Sequence, residues 1–389
     1  MSVQTQTQQY VMHTYARKPV TLVKGQGAIV YDESGKQYFD FSSGIGVNSL
    51  GYSDPDWSLA IAKQSQTLQH TSNLYYTQPM AKLAEILCQR TNYAKVFFGN
   101  SGAEANEGAI KLARKYSFDR YGESAQRYKI LTLKDSFHGR TVTTLSATGQ
   151  DVFHQSFDPF TPGFDYVAAN DLADLTNKLD DQVCAVMIEF VQGEGGIHLL
   201  DKVYVQTLFE LCAAKDILVI ADEVQTGIGR TGRLLANEHY QVQPDISTLA
   251  KGLGGGLPIG AVLCNEKLAD VFQPGDHATT FGGNPVVCAG AQVVLDKLTP
   301  QVLESIQQKE QLIRQHLEKM PEVKKIDGIG LMLGIQLQSK TATEVIDACL
   351  EEGLIVLSAQ EKIRLLPPLT INDEELKQGL AILAKVLAD

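Results

Sequence analysis

The stretch VCAVMIEFVQGEGGIHLLDKVYVQTLFELCAAKDILVIAD, residues 183–222, decides the fold. It opens on a short apolar run, 183–191, whose β-branched residues read as a strand covered on both faces. A Gly-rich loop follows, and then apolar residues recur at spacings of three and four over 203–215, the period of an amphipathic helix. Residues 217–221 form a second apolar, β-branched run that ends on Asp222. Strand, helix and strand in this order are the repeating unit of a parallel sheet with helices on its faces.

The same alternation extends outward from about Val96 to Cys264. Further strands are expected at 96–98, 129–133, 246–250 and 260–264, and a helix at 103–121. Residues 21–41 differ: Gly25, Gly27 and the stretch from Asp32 to Gly35 punctuate short alternating runs, a hairpin-like pattern. After about residue 300 the pattern changes again, to a polar helix (301–320), strands (323–338), a helix (342–352), more strands and a closing helix. That mixture predicts a smaller α+β lobe. Periodicity alone does not say whether the first and last segments share it.

The chain has 389 residues, with 34 Lys+Arg against 45 Asp+Glu, for a net charge of −11. Single cores stop growing near roughly 250 to 300 residues, so more than one lobe is expected. An acidic balance argues against holding nucleic-acid phosphates or an anionic membrane surface. The apolar runs 183–188 and 217–221 fall far short of the roughly 20 residues that span a bilayer. Residues 1–10 are Gln/Thr-rich, with no basic or apolar region of a targeting segment. Six cysteines stand singly without a CxxC pair, which reads as buried thiols in a reducing cytoplasm and no metal site.

The chemistry gathers at predicted strand ends. Asp222 and Lys251 each close a strand of one parallel sheet, and the carboxyl ends of such strands face the ligand crevice. A lysine that forms a Schiff base and a carboxylate that holds a ring nitrogen protonated are what pyridoxal phosphate (PLP) requires; a buried ion pair would use the same two residues. Glycines from Gly252 to Gly260 let backbone approach a ligand. Asn100-Ser-Gly-Ala-Glu-Ala-Asn-Glu107 follows a strand and opens a helix, placing Ser101, Gly102 and Ala103 to bind a phosphate or simply to cap the helix. Thr280 in Thr-Phe-Gly-Gly is a weaker case. Phe137 and His138 lie beyond a strand, with a ring able to stack on a flat cofactor, and Arg140 suits a carboxylate. Glu189, Gln192 and Glu194 emerge from an apolar strand end and need polar partners. Arg364, between apolar neighbours, is either a salt-bridge residue or a carboxylate anchor. A nucleotide-binding reading of Gly252 to Gly256 lacks the third properly spaced glycine, and no GxxxxGK[ST] loop is present.

Together the motifs resemble the class III, or ω-amino acid, aminotransferases of PLP fold type I. The resemblance runs from Tyr38-Phe-Asp-Phe41 to Pro367 through NSGAEANE, SFHGRT, QGEGG, DEVQTG, GRTG, AKGLGGGLPIGA and TTFGGNP. It implies a large PLP-binding domain at 47–300 with a mostly parallel seven-stranded sheet, and a small α+β domain built from 1–46 and 301–389. It further implies that Lys251 carries PLP, Asp222 pairs the ring nitrogen, and Phe137 and Val224 cover the two ring faces. His138 belongs to the same cofactor set. Gln225 is expected near the phenolic oxygen, Ser101, Gly102 and Ala103 at the phosphate, and Glu189 near Lys251. Thr280 would reach the phosphate of a second subunit in a homodimer.

On the substrate side the resemblance implies transfer of the δ-amino group of N-acetylornithine to 2-oxoglutarate, yielding glutamate. Arg364 would bind the α-carboxylate of glutamate and 2-oxoglutarate, and Arg140 the other carboxylate. Glu194 would pair with Arg364 and swing away for glutamate. Related activities on succinylornithine, ornithine or γ-aminobutyrate, or an aminomutase of the same fold, share these motifs. Ile45 stands where ornithine-specific relatives tend to carry tyrosine, and an apolar residue there favours an acylated amine over a free ammonium. Two departures stand out: Phe190 where proline is common, and Tyr52 where histidine often follows Leu-Gly.

Overall fold

The computed structural model describes residues 1–388. Its centre is a seven-stranded sheet whose strands, in chain order, are β1 (Lys95–Gly99), β2 (Lys129–Leu133), β3 (Phe164–Val167), β4 (Val183–Ile188), β5 (Leu218–Asp222), β6 (Ile246–Leu249) and β7 (Gly260–Cys264). The spatial order is β3-β2-β4-β5-β6-β7-β1, and all pairs are parallel except those made by β7, which runs against both neighbours. Every residue of β4 and β5 is buried, because helices cover both faces. On one face, Ala105, Ala109 and Ile110 of the helix Gly102–Tyr121 pack on Ala185, Met187 and Ile220. On the other, Tyr204, Val205 and Leu208 of the helix Lys202–Ala214 pack on Val186, Ile188 and Val219. The alternation of Ala185 and Met187 with Val186 and Ile188 is the two-residue period of a strand with two buried faces.

Two differences from the sequence reading have local causes. The run 183–191 is not one strand: β4 stops at Ile188, and Val191–Gln192 pairs instead with His198–Leu199. The Glu189 carboxylate accepts the N–H groups of Phe137 and Gly193, which draws the chain off the sheet. Strand β3, FDYV, was absent from the expectation because it is an edge strand with mixed polarity, only half-buried, and so lacks an apolar signature.

The segment 21–41 forms the strands Leu22–Gln26, Ile29–Asp32 and Gln37–Asp40, and the last of these pairs in parallel with Leu354–Ile355. The first and last segments therefore share a sheet, which periodicity had left open. A second four-stranded sheet, ordered Val323–Ile329, Met332–Leu337, Lys362–Leu365, Leu357–Ala359, carries Arg364 opposite Gly334. Arg230, fully buried, donates through Nη1 to the carbonyls of Leu331 (3.0 Å) and Pro367 (2.6 Å) and so ties the loop after β5 to the chain that follows Arg364. The two departures are accommodated by packing: the Phe190 ring stacks on Tyr240 at 4.9 Å, and the Tyr52 hydroxyl donates to Asp40 at 2.7 Å. Among the described residues no helix is long and apolar enough to cross a membrane.

Candidate active site

The parallel strands end along one edge of the sheet, and the chemistry sits on that edge. Asp222 is the last residue of β5; Lys251 follows β6, Glu189 follows β4, and Phe137 and His138 follow β2. Because β7 is antiparallel, its first residue, Gly260, lies beside Gly99 at the end of β1. A cavity of about 500 Å³ opens there, with Ser101, Phe137, Arg140, Glu194, Asp222 and Lys251 among its walls.

At one end of the cavity, Ser101 caps the helix Gly102–Tyr121, its Oγ accepting the Glu104 N–H at 3.1 Å. The N–H groups of Gly102 and Ala103 have no acceptor within the helix and lie at its positive end, which suits an anion. Glycine is required around them: a Cβ on Gly102 would stand 2.7 Å from Val224 Cγ1, and one on Gly260 would stand 2.2 Å from the Ser101 carbonyl oxygen.

Asp222 is held from beneath by a buried chain of hydrogen bonds. Its Oδ2 accepts from Asn106 Nδ2 and pairs with His138 Nδ1, both at 2.8 Å, while Oδ1 accepts the Val224 N–H at 3.0 Å. Thr248 donates to Asn106 Oδ1 at 2.7 Å, and Asn106 also donates to the His138 carbonyl. A carboxylate only accepts, so the proton of this bond sits on His138 Nδ1; Nε2 is buried without a partner among the described residues. The sequence reading missed Asn106 and Thr248. Asn106 lies within a quoted motif, and a polar residue between the buried Ala105 and Ala109 was the available signal.

Lys251 has a positive φ of 42°, a conformation that costs a non-glycine residue energy and clusters at functional sites. Burial lowers its amine below the ordinary lysine value, Glu194 opposing and Arg364 reinforcing the shift. Burial likewise raises the Glu189 carboxyl, with His138 opposing and Asp222 adding. For Glu194 burial pushes upward but the Arg364 charge outweighs it, leaving the carboxyl below its usual range. Arg364, 3 % exposed, donates through Nη1 to Glu194 Oε1 at 2.6 Å and to Gln225 Oε1 at 3.3 Å. Arg140 is exposed at the rim, its guanidinium 3.9 Å over the Phe153 ring and 5.6 Å from that of Phe137.

Two of the named residues do not line this cavity, and for Thr280 the expected place was the site of a second subunit. Thr280 is exposed and lines a separate surface cavity with His70, Asn73 and Phe97. Ile45 is exposed at a kink with φ 69°, and it is Val47, two residues on, that lines the cavity. The remaining residues fit a phosphorylated pyridine aldehyde: free helix N–H groups at one end, an acceptor-only carboxylate at the sheet edge, an aromatic ring and a valine between them, and a lysine whose charge is disfavoured.

The model of the family described as aminotransferase class-III matches residues 10–387. An acetylornithine aminotransferase of Haemophilus ducreyi is 52% identical over 98% of this chain and 97% of its own, and one of Caldanaerobacter subterraneus is 49% identical over 99% of each. Among solved structures, an ornithine aminotransferase of Toxoplasma gondii, with PLP at partial occupancy in its active site, superposes with a TM-score of 0.94 at 33% identity, covering 99% of this chain and 93% of that one. An N-acetylornithine aminotransferase of Stenotrophomonas maltophilia gives 0.86 at 35%, covering 99% and 98%. The chain belongs to the class-III aminotransferases, PLP-dependent enzymes of fold type I.

Proposed function

We propose that the protein is an acetylornithine aminotransferase of arginine biosynthesis, transferring the δ-amino group of N2-acetyl-L-ornithine to 2-oxoglutarate to give N-acetyl-L-glutamate 5-semialdehyde and glutamate. The observation that carries it is the Glu194–Arg364 pair set beside Lys251 and Asp222. Glu194 lines the cavity together with Lys251 and Asp222, and it pairs with Arg364, an arginine whose carboxylate partner thus belongs to the protein itself. The full-length relatives at 49 and 52% identity support the choice of substrate; the fold does not make it, since an ornithine enzyme superposes as well as an acetylornithine one.

PLP bound here supplies an aldehyde for the amine and a ring that accepts electrons. Ser101, Gly102 and Ala103 would hold its phosphate, Phe137 and Val224 would enclose its ring, and Gln225 would meet its phenolic oxygen; all of them line the cavity. Asp222 would pair with its ring nitrogen and favour the protonated form, and His138 and Asn106 hold Asp222 in place. Lys251 Nζ would hold the cofactor through its amine and, once free, would take the proton from the amine-bearing substrate carbon as a general base and give it up again as a general acid. Glu189, its carboxyl raised by burial, lies on the wall of the same cavity as Lys251 and favours the charged amine there. Arg140 binds the distal carboxylate of each substrate. Glu194 covers Arg364 while the δ-amine reacts and yields it to the α-carboxylate of 2-oxoglutarate or glutamate. Val47 brings an apolar side chain to the cavity wall, while Ile45, two residues before it on the same segment, is exposed outside that cavity.

Residues 47–300 form the cofactor-binding domain, and 1–46 with 301–389 the small one, residue 389 lying outside the described residues; the sheet shared by Gln37–Asp40 and Leu354–Ile355 supports this division. The functional unit is a homodimer in which Thr280 reaches the partner's phosphate site. Its surface supports this: Leu74, Tyr76 and Phe281 are 86, 102 and 60 % exposed, and contacts from Asn73 to the Thr279 and Gly282 carbonyls join the two segments into one apolar patch. The six cysteines are unpaired, as suits a cytoplasmic enzyme.

The test is a half-reaction without 2-oxoglutarate. N-acetylornithine is expected to bleach the visible band of the holoenzyme rapidly, and ornithine much more slowly. A yellow enzyme indifferent to N-acetylornithine would move the activity to another substrate of the family.

A further inference from the structure

The Glu194–Arg364 pair has a third member. Gln225 donates from Nε2 to Glu194 Oε1 at 3.2 Å, the same oxygen that accepts from Arg364, and its own Oε1 accepts from Arg364 Nη1 at 3.3 Å. One neutral amide therefore braces both charges. That amide lies flat on Gly193: a Cβ built there would stand 2.6 Å from Gln225 Nε2, 2.7 Å from Cδ and 2.8 Å from Oε1. Gly193 is not among the residues of positive φ, so its backbone does not require glycine. Its N–H, which donates to Glu189 Oε1 at 3.2 Å, would survive in alanine. What glycine alone provides at this position is room for the Gln225 amide.

We propose that Gly193 and Gln225 form a latch on the Glu194–Arg364 clamp, Gly193 seating the amide and the amide holding Glu194 on Arg364, so that together they set how readily a dicarboxylate displaces Glu194. The inference rests on the reading of Glu194 as a movable cover for Arg364. An incoming α-carboxylate must break the Gln225 bond as well as the Arg364 bond, and its apparent affinity falls with the fraction of sites in which Arg364 is covered. Alanine at 193 pushes the amide off its seat, since the end of a buried but flexible glutamine side chain moves before the backbone does. Glu194 then loses one of its two donors, and dicarboxylates compete better. The pair governs selectivity between the two substrates and takes no part in the proton transfers.

The experiment measures glutarate, an unreactive dicarboxylate, binding to the holoenzyme by isothermal calorimetry in the parent protein, Gly193→Ala, Gln225→Leu, Glu194→Ala and the double variant Gly193→Ala with Glu194→Ala. Gly193→Ala and Gln225→Leu are each expected to tighten glutarate by about tenfold, the worth of a hydrogen bond to a charged group. Glu194→Ala is expected to tighten it at least as much. In the double variant the change at 193 has nothing further to release, so its affinity matches that of Glu194→Ala alone. Unchanged or weaker binding in Gly193→Ala, which replaces no residue that meets the cofactor, with tightening in Glu194→Ala, overturns the latch and leaves the clamp standing. So does a gain from Gly193→Ala that persists when Glu194 is gone. No tightening in Glu194→Ala removes the clamp itself and the inference with it.

Discussion

Lys251 carries two local costs at once, a left-handed backbone and a buried amine. Both are bearable only because the cavity and its neighbours over-determine the position. The second has a direct consequence, since a lysine whose charged form is disfavoured becomes neutral, and nucleophilic, at a lower pH than a free one. In apoprotein, the rate of PLP uptake is expected to rise with pH as Lys251 loses its proton and to level off below the ordinary lysine value of 10.5. Stopped-flow absorbance from about pH 6 to about pH 10 reads this directly; a rate still climbing without a plateau across that range would show that the amine keeps its charge. Asp222 illustrates a different economy: its position is secured by neutral donors, Asn106 and the Val224 N–H, and by a histidine, so its carboxylate keeps one face for a ligand.

Strand β7 decides the phosphate end of the cavity. Running against its neighbours, it begins where β1 ends, and its first residue lies under the Ser101 turn with no room for a side chain. Gly260→Ala forces the Ser101 carbonyl, and with it the N–H groups of Gly102 and Ala103, to shift. Because displacements of about 1 Å in such a site cost on the order of a hundredfold in function, PLP retention is expected to weaken at least tenfold. Equilibrium dialysis of the holoenzyme checks it, and retention equal to the parent's would mean that β7 does not set the turn. The helix Gly102–Tyr121 does two tasks: its first turn offers the N–H groups, and its buried face, through Asn106, reaches Asp222 from below.

At the scale of the whole molecule, Thr280 stands apart from the cavity of its own chain, on an exposed apolar surface. A chain that buries this surface against a second copy is expected to sediment at twice the chain mass. Thr280→Val should leave that mass unchanged and weaken PLP retention by several-fold, the worth of one hydrogen bond to a charged group. A monomer that holds PLP as tightly as the parent would remove the second subunit from the site. Arg230 acts at the same scale within one chain, its buried guanidinium joining the loop after β5 to the carbonyls of Leu331 and Pro367, near the strand that presents Arg364.

Much of this was legible in the chain itself. Local periodicity marks which residues are covered on both faces, so the α/β core, the helix over 342–352 and the placing of Asp222 and Lys251 at strand ends followed from residues close in sequence. The ordered motifs carried the family. What only the tertiary structure decided depends on contacts between distant residues. These are the joining of Gln37–Asp40 to Leu354–Ile355, the descent from Asp222 through Asn106 to Thr248, and the seat that Gly193 makes for Gln225. The physical reason is that an apolar pattern states only that a residue must be buried. Which strand becomes its neighbour, and which donor meets a buried polar atom, is settled when the sheet closes and every such atom seeks a partner.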